Sequence, residues 1–177
     1  MSDIRKEQER DELHKTIWGI ADDLRGSVDG WDFKSYVLGM MFYRYISENL
    51  TNYINAGEAE AGNPDFDYAK LSDEDAEQAR ADLVNTKGFF ILPSELFVNV
   101  RARAARDENL NETLERVFRH IEESASSGDA ENDFAGLFDD FDVNSKSIGE
   151  TVAKRNKVLA ELLNGVAQMP LFATEGI

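Results

Sequence analysis

Residues 31–50 read "WDFKSYVLGMMFYRYISENL", from Trp31 to Leu50. Val37, Leu38, Met40, Met41, Phe42, Tyr43, Tyr45 and Ile46 crowd into fewer than three helical turns. Phe33, Val37, Met40, Met41, Arg44 and Tyr45 advance by three or four residues, which predicts a helix. Leu38, Phe42 and Ile46 fall beside them, so the apolar surface is wider than one stripe and the helix should be central. Asp32 is the expected N-cap. Trp31, between a glycine and that cap, is expected to anchor the junction with the preceding helix.

That preceding helix is predicted over about Ile4–Arg25, with Leu13, Ile17, Ile20, Ala21 and Leu24 on one face. "RGSVDGWD" breaks it through Gly26 and Gly30. Beyond the quoted stretch, Asn55 to Lys70 turns to Gly, Asn, Pro and Asp and reads as a loop. "SDEDAEQARADLV" restarts a helix, with Ser72 as cap and acids in the first turn. "KGFFILP", closed by Pro93, predicts a short extended segment near Gly88–Pro93 laid against the core. Ser94 is the expected cap of a short helix reaching about Arg103. "NLNETLERVFRHIEESA" carries Leu110, Leu114, Val117, Phe118 and Ile121 on one face. A long connection follows, with an apolar turn around Phe134, Leu137 and Phe138. A last helix runs from about Glu150 to Gln168, ahead of Pro170. No run alternates apolar and polar residues. The predicted class is all-α, an irregular multi-helix bundle.

Composition narrows the function. The chain has 177 residues, 42% of them hydrophobic, and a net charge of −16. This is globular composition. With no cysteine there is no disulfide, thiolate site or thiol nucleophile, as suits a reducing cytoplasm. No apolar run is long enough to cross a bilayer, and "MSDIRKEQERDELHK" has no signal-peptide core. The mean field repels a polyanion, so the segment alone is expected to bind DNA poorly.

Four groups of residues invite a chemical reading. "NPDF", Asn63–Phe66, is close to the Asn-Pro-Pro-aromatic tetrad that grips a flipped adenine. Asp65 replaces the stiffening proline, and no strand or glycine-rich donor site precedes it, so a turn is expected. "DAENDFAGLFDD" imitates a calcium loop through Asp129, Glu131 and Asp133, but Phe134 and Asp140 stand where Gly and Glu belong. His14 and His120 have no metal or triad spacing; His14 should sit at a helix edge and His120 on a partly exposed helix. Arg103 with Arg106, and Lys154 with Lys157, can pair on helical faces, while Arg101 points elsewhere. All five cations are candidate phosphate contacts. No GxGxxG, Walker A or nucleophile elbow occurs.

"LHKTIWGIADDLRGSVDGWDFKSYVLGMMFYRYISENL" resembles the N-terminal helical region of modification (methyltransferase, HsdM-type) subunits of type I restriction–modification systems. Leu24-Arg25-Gly26, Phe33-Lys34, Tyr36-Val37-Leu38-Gly39 and Phe42-Tyr43-Arg44-Tyr45-Ile46-Ser47 carry the match. "GFFILPSELF" (Gly88–Phe97) and "NSKSIGETVAKRNKVLAELL" (Asn144–Leu163) extend it in order over nearly the whole chain. The resemblance implies a cytoplasmic bacterial or archaeal enzyme moving a methyl group from S-adenosylmethionine to adenine N6 in DNA. It implies partners as well: a specificity subunit, a second modification subunit, a restriction subunit and duplex DNA. In that family the donor-binding and Asn-Pro-Pro motifs lie downstream of such a region. Residues 1–170 are thus expected to be a non-catalytic helical domain, and residues 171–177 the start of a linker toward a methyltransferase domain. The chain itself should hold no cofactor or metal. By the same resemblance, two helical domains meet across bound DNA and help close the complex. Met41, Tyr43 and Tyr45 are the candidate interface residues. The rival reading is a stand-alone all-α protein–protein interaction module; a metal-binding regulatory domain using the Asp129–Asp140 loop is a third.

Overall fold

The computed structural model describes residues 15, 30–125, 138 and 141–169, with side chains from residue 34 onward apart from that of residue 15. The expectations for the Ile4–Arg25 helix, His14, the Trp31 ring, the acidic loop 129–140 (apart from Phe138) and residues 171–177 lie outside these. Among the described residues there are six α-helices and no strand: α1 Gly30–Glu60, α2 Asp73–Glu77, α3 Arg80–Lys87, α4 Phe97–Ala104, α5 Leu110–Ala125 and α6 Val152–Ala167. Short 3-10 turns lie at Tyr68–Lys70, Pro93–Glu95 and Lys146–Ile148. The all-α class is as expected.

Helix α1 is the spine, about 46 Å long at 1.5 Å per residue. Tyr36, Val37, Met40, Tyr43, Ile46, Ser47 and Leu50 are buried along it. It touches both α4 and α6, and α5 and α4 also pack on α6. From α5 come Leu110, Leu114, Val117, Phe118 and Ile121; from α6 come Val158, Leu159, Leu162, Leu163 and Val166, all buried. The interior is aromatic where these helices meet. Tyr43 lies edge-on to Phe97 and Phe118, and Phe118 stacks on Phe138 at 4.1 Å. Gly39 lets Phe141 lie against the spine, because a β-carbon there would come within 2.6 Å of the ring.

Several boundaries differ from expectation. Helix α1 already includes Gly30 and Trp31 ahead of Asp32, which therefore lies within the helix, and it continues to Glu60 rather than yielding to a loop at Asn55. The apolar period stops because the last turns are largely solvated, and exposed helical positions need no period. Gly62, at φ 98°, supplies the left-handed turn beyond the helix. Ser72 caps α2 as expected, accepting the Asp75 N–H at 3.2 Å, but the predicted single helix breaks at Gln78–Ala79 into α2 and α3.

The segment from Phe89 to Leu92 is extended, as expected, without belonging to a sheet. Its backbone is satisfied by side chains instead. The Phe90 N–H donates to Ser124 Oγ at 3.0 Å, Tyr68 Oη donates to the Ile91 carbonyl at 2.7 Å, and Tyr43 Oη donates to the Glu95 carbonyl. Ser94 does not cap α4. Its N–H and hydroxyl both donate to the Asp73 carboxylate at 3.0 and 2.5 Å. The first N–H of α4, on Phe97, instead donates at 3.1 Å to Ser47 Oγ, from the spine. A cap contributed by another helix is invisible to local sequence rules. Arg44, three residues before Ser47 on the spine, closes the end of α6: its Nη1 donates to the carbonyls of Val166 and Met169 at 2.6 and 2.7 Å, with Glu48 at 2.9 Å on Nε. A guanidinium at a helix C-terminus meets both the free carbonyls and the negative end of the dipole.

Candidate functional site

Helix α4 buries Phe97, Val100 and Ala104 and turns Val98, Arg101 and Arg103 to solvent. Helix α6, capped by Thr151, whose hydroxyl accepts the Lys154 N–H at 3.2 Å, buries its leucine face and exposes Lys154, Lys157 and Asn164. The two helices are neighbours in the bundle, and Arg101 Nε donates to Asn164 Oδ1 at 3.1 Å across them. Cations some fifty residues apart in sequence are therefore carried by adjoining helices. Residues 97–106 hold three arginines and no acid, in a chain whose net charge is −16.

How these cations are held matters more than how many there are. Three arginines on α1, α3 and α5 meet carboxylates: Arg44 with Glu48, Arg80 with Glu77, Arg119 with Glu123. On α4 and α6 the acceptors are neutral. Arg101 uses an amide, Arg103 Nη2 donates to the Ser94 carbonyl at 2.8 Å, and Arg155 Nη1 to the Gly149 carbonyl at 3.0 Å. Among the described residues, none of Arg101, Arg103, Arg106, Lys154 and Lys157 is ion-paired. A neutral acceptor orients a guanidinium without cancelling its field. One expectation needs correcting: α4 ends at Ala104, so Arg106 lies past the helix and shares no helical face with Arg103.

The interface candidates separate. Tyr43 has no exposed surface and its hydroxyl is committed to the Glu95 carbonyl, so it is a core residue and cannot line a docking face of the folded domain. Burial pushes its phenol well above the usual tyrosine range, with the Glu95 charge adding to the effect. Met41 and Tyr45 are half-buried, flanking Leu38, which is 51% exposed. Spacing of three and four places Leu38, Met41, Phe42 and Tyr45 on one side of α1.

Of the motif readings, Asn63–Phe66 is a turn closed by the Phe66 N–H on the Asn63 carbonyl at 3.2 Å. Asn63 is exposed and donates to Glu58 at 2.9 Å, while Phe66 packs against the core. With no strand and no glycine-rich turn behind one, the described residues do not fit a methyl-donor site. No group of them has metal-ligating geometry. Sequence reasoning missed Glu95, whose carboxylate is buried and meets His120 Nδ1 at 2.8 and 3.1 Å. Burial raises its pKa, against the pull of His120 and Arg116. The local signal was a lone acid among apolar neighbours in "LPSELF"; its partner lies 25 residues away.

Comparison with known proteins agrees with this architecture. The family model of the HsdM N-terminal domain matches residues 13–166. The type I restriction enzyme MpnII methylase subunit of Mycoplasma pneumoniae is 45% identical over 175 residues, covering 94% of this chain and 32% of that protein. The crystal structure of a type I restriction–modification system methyltransferase subunit from Streptococcus thermophilus superposes with a TM-score of 0.70 at 28% identity, over 93% of this chain and 35% of that one. The chain thus spans about a third of the length of each of these relatives. With a family model matched over most of its residues, the chain belongs to the HsdM N-terminal domain family.

Proposed function

We propose that this chain is the helical assembly and DNA-closing domain of a type I modification methylase subunit. The observation that carries the reading is the set of unpaired cations on α4 and α6, held by neutral acceptors in an otherwise acidic chain. Such a face engages phosphates locally while the net charge opposes free approach of a polyanion. The domain closes over DNA already held by other parts of a complex. Those parts are a specificity subunit, a second modification subunit and, in the full system, a restriction subunit, in the cytoplasm of a bacterium or archaeon. The parent protein transfers a methyl group from S-adenosylmethionine to adenine N6; the described residues supply shape and charge. The half-buried Met41 and Tyr45 beside Leu38 form the apolar face suited to subunit contact.

The test compares DNA dissociation from the complete modification complex with that from a complex lacking residues 1–177. Faster dissociation from the truncated complex is expected. Unchanged dissociation from an assembled truncated complex removes the closing role. Submicromolar, salt-sensitive binding of duplex by the isolated domain contradicts the electrostatic argument. The rival reading, a stand-alone interaction module, predicts no association with a specificity subunit.

A further inference from the structure

We propose that Arg101 and Asn164 form a two-residue phosphate fork, with Asn164 as its positioning residue and Lys157 as the next contact along the same track. This deepens the DNA-closing reading and rests on it. Arg101 is exposed and spends only Nε on Asn164, at 3.1 Å. Both terminal nitrogens stay available, and these form the edge that grips two phosphate oxygens at once. An amide acceptor fixes the plane of the guanidinium and leaves its charge intact; a carboxylate in the same place would neutralise it. Asn164 is itself exposed and stands on α6 seven residues after Lys157, about two turns along the same side. Lys154 precedes Lys157 by three residues on that side. Glu161 is the one carboxylate on this stripe; it is half-buried and pairs with none of these cations. Arg103 stands apart, its guanidinium turned to the Ser94 carbonyl at 2.8 Å.

The experiment measures the salt dependence of duplex binding by the complete modification complex carrying Arg101→Ala, Asn164→Asp, Asn164→Ala or Arg101→Lys. One lost phosphate contact lowers the salt slope by about 0.9, about 3.5-fold in affinity over a fourfold range of salt. Arg101→Ala and Asn164→Asp should both lose that slope, the second because the new carboxylate pairs with Arg101. Asn164→Ala and Arg101→Lys keep the charge, so they should keep the slope and bind about threefold more weakly at fixed salt, the worth of a lost orienting hydrogen bond. Both sites are solvent-exposed, so melting temperatures should stay close to the parent, and a purely structural role would leave the slope untouched. Parental slopes for both Arg101→Ala and Asn164→Asp overturn the fork, and parental affinity for Asn164→Ala overturns the positioning role. If those point variants behave as the parent while the complex lacking residues 1–177 releases DNA faster, the domain closes through another face and only this inference fails. If the truncated complex also behaves as the parent, the DNA-closing reading fails with it.

Discussion

Removing one oxygen from the middle of the bundle, by Tyr43→Phe, separates a core role from an interface role. The ring stays, with its edge-on contacts to Phe97 at 5.5 Å and Phe118 at 5.4 Å. Only the hydroxyl goes, and with it the donor to the Glu95 carbonyl. Tyr43 has no exposed surface and Glu95 is buried, so water does not readily replace that donor. A net hydrogen bond is worth about 0.5–1.5 kcal/mol, and stranding a buried partner costs about 1–3 kcal/mol. A loss of about 2 kcal/mol is expected, lowering the melting temperature of a domain this size by about 4–8 °C. Urea titration should show a lower midpoint at unchanged slope. The alkaline limb gives a second reading. Burial holds the folded phenol well above its ordinary value of 10.0, so above that pH the unfolded chain loses a proton the folded chain keeps. Stability therefore falls as pH rises from 10.0 toward the folded value, by up to about 1.4 kcal/mol per pH unit. The phenylalanine variant should fall less steeply, while Tyr68, also raised by burial, keeps part of the slope. A stability change under about 0.5 kcal/mol with an unaltered alkaline limb would show a solvated hydroxyl and refute the burial argument.

Two further substitutions probe the contacts that close the bundle. Gly39→Ala gains about 1 kcal/mol of helix propensity, but its β-carbon meets Phe141 at 2.6 Å; overpacking of about 1–3 kcal/mol should outweigh the gain, and a raised urea midpoint would contradict the close approach. Arg44→Met keeps the aliphatic stem and removes the donors to Val166 and Met169; a loss of about 2 kcal/mol is expected, with faster amide exchange in the last turn of α6, and protected amides there would refute the capping role.

The helical class was legible because apolar residues recur at helical spacing in α1, α5 and α6, and that period is a local property of the chain. Ser72 was legible for the same reason, since it caps α2 through its own side chain; Gly88, which takes φ 87° at the end of α3, was read only as the start of the extended segment. The missed cap of α4 falls where a distant residue does the work. The first N–H of α4 is met by Ser47, 50 residues earlier, so Ser94, well placed by local rules, was free to bind Asp73. Tyr43 and Tyr45 are neighbours in sequence and equally apolar, yet one is enclosed and the other half-buried. Which side of a broadly apolar helix receives neighbours is set by how α4, α5 and α6 pack, and no local pattern records it. The candidate cations were visible as residue types. That Arg101 meets an amide rather than a carboxylate, and that α4 lies beside α6, was decided by the fold. The sequence by itself determined which segments become helices and how much charge the chain carries, because backbone propensity, side-chain period and ionisation are properties of short stretches. Only the tertiary structure decided which charges stay unneutralised and which aromatic rings face water, because those depend on pairings between residues far apart in the chain.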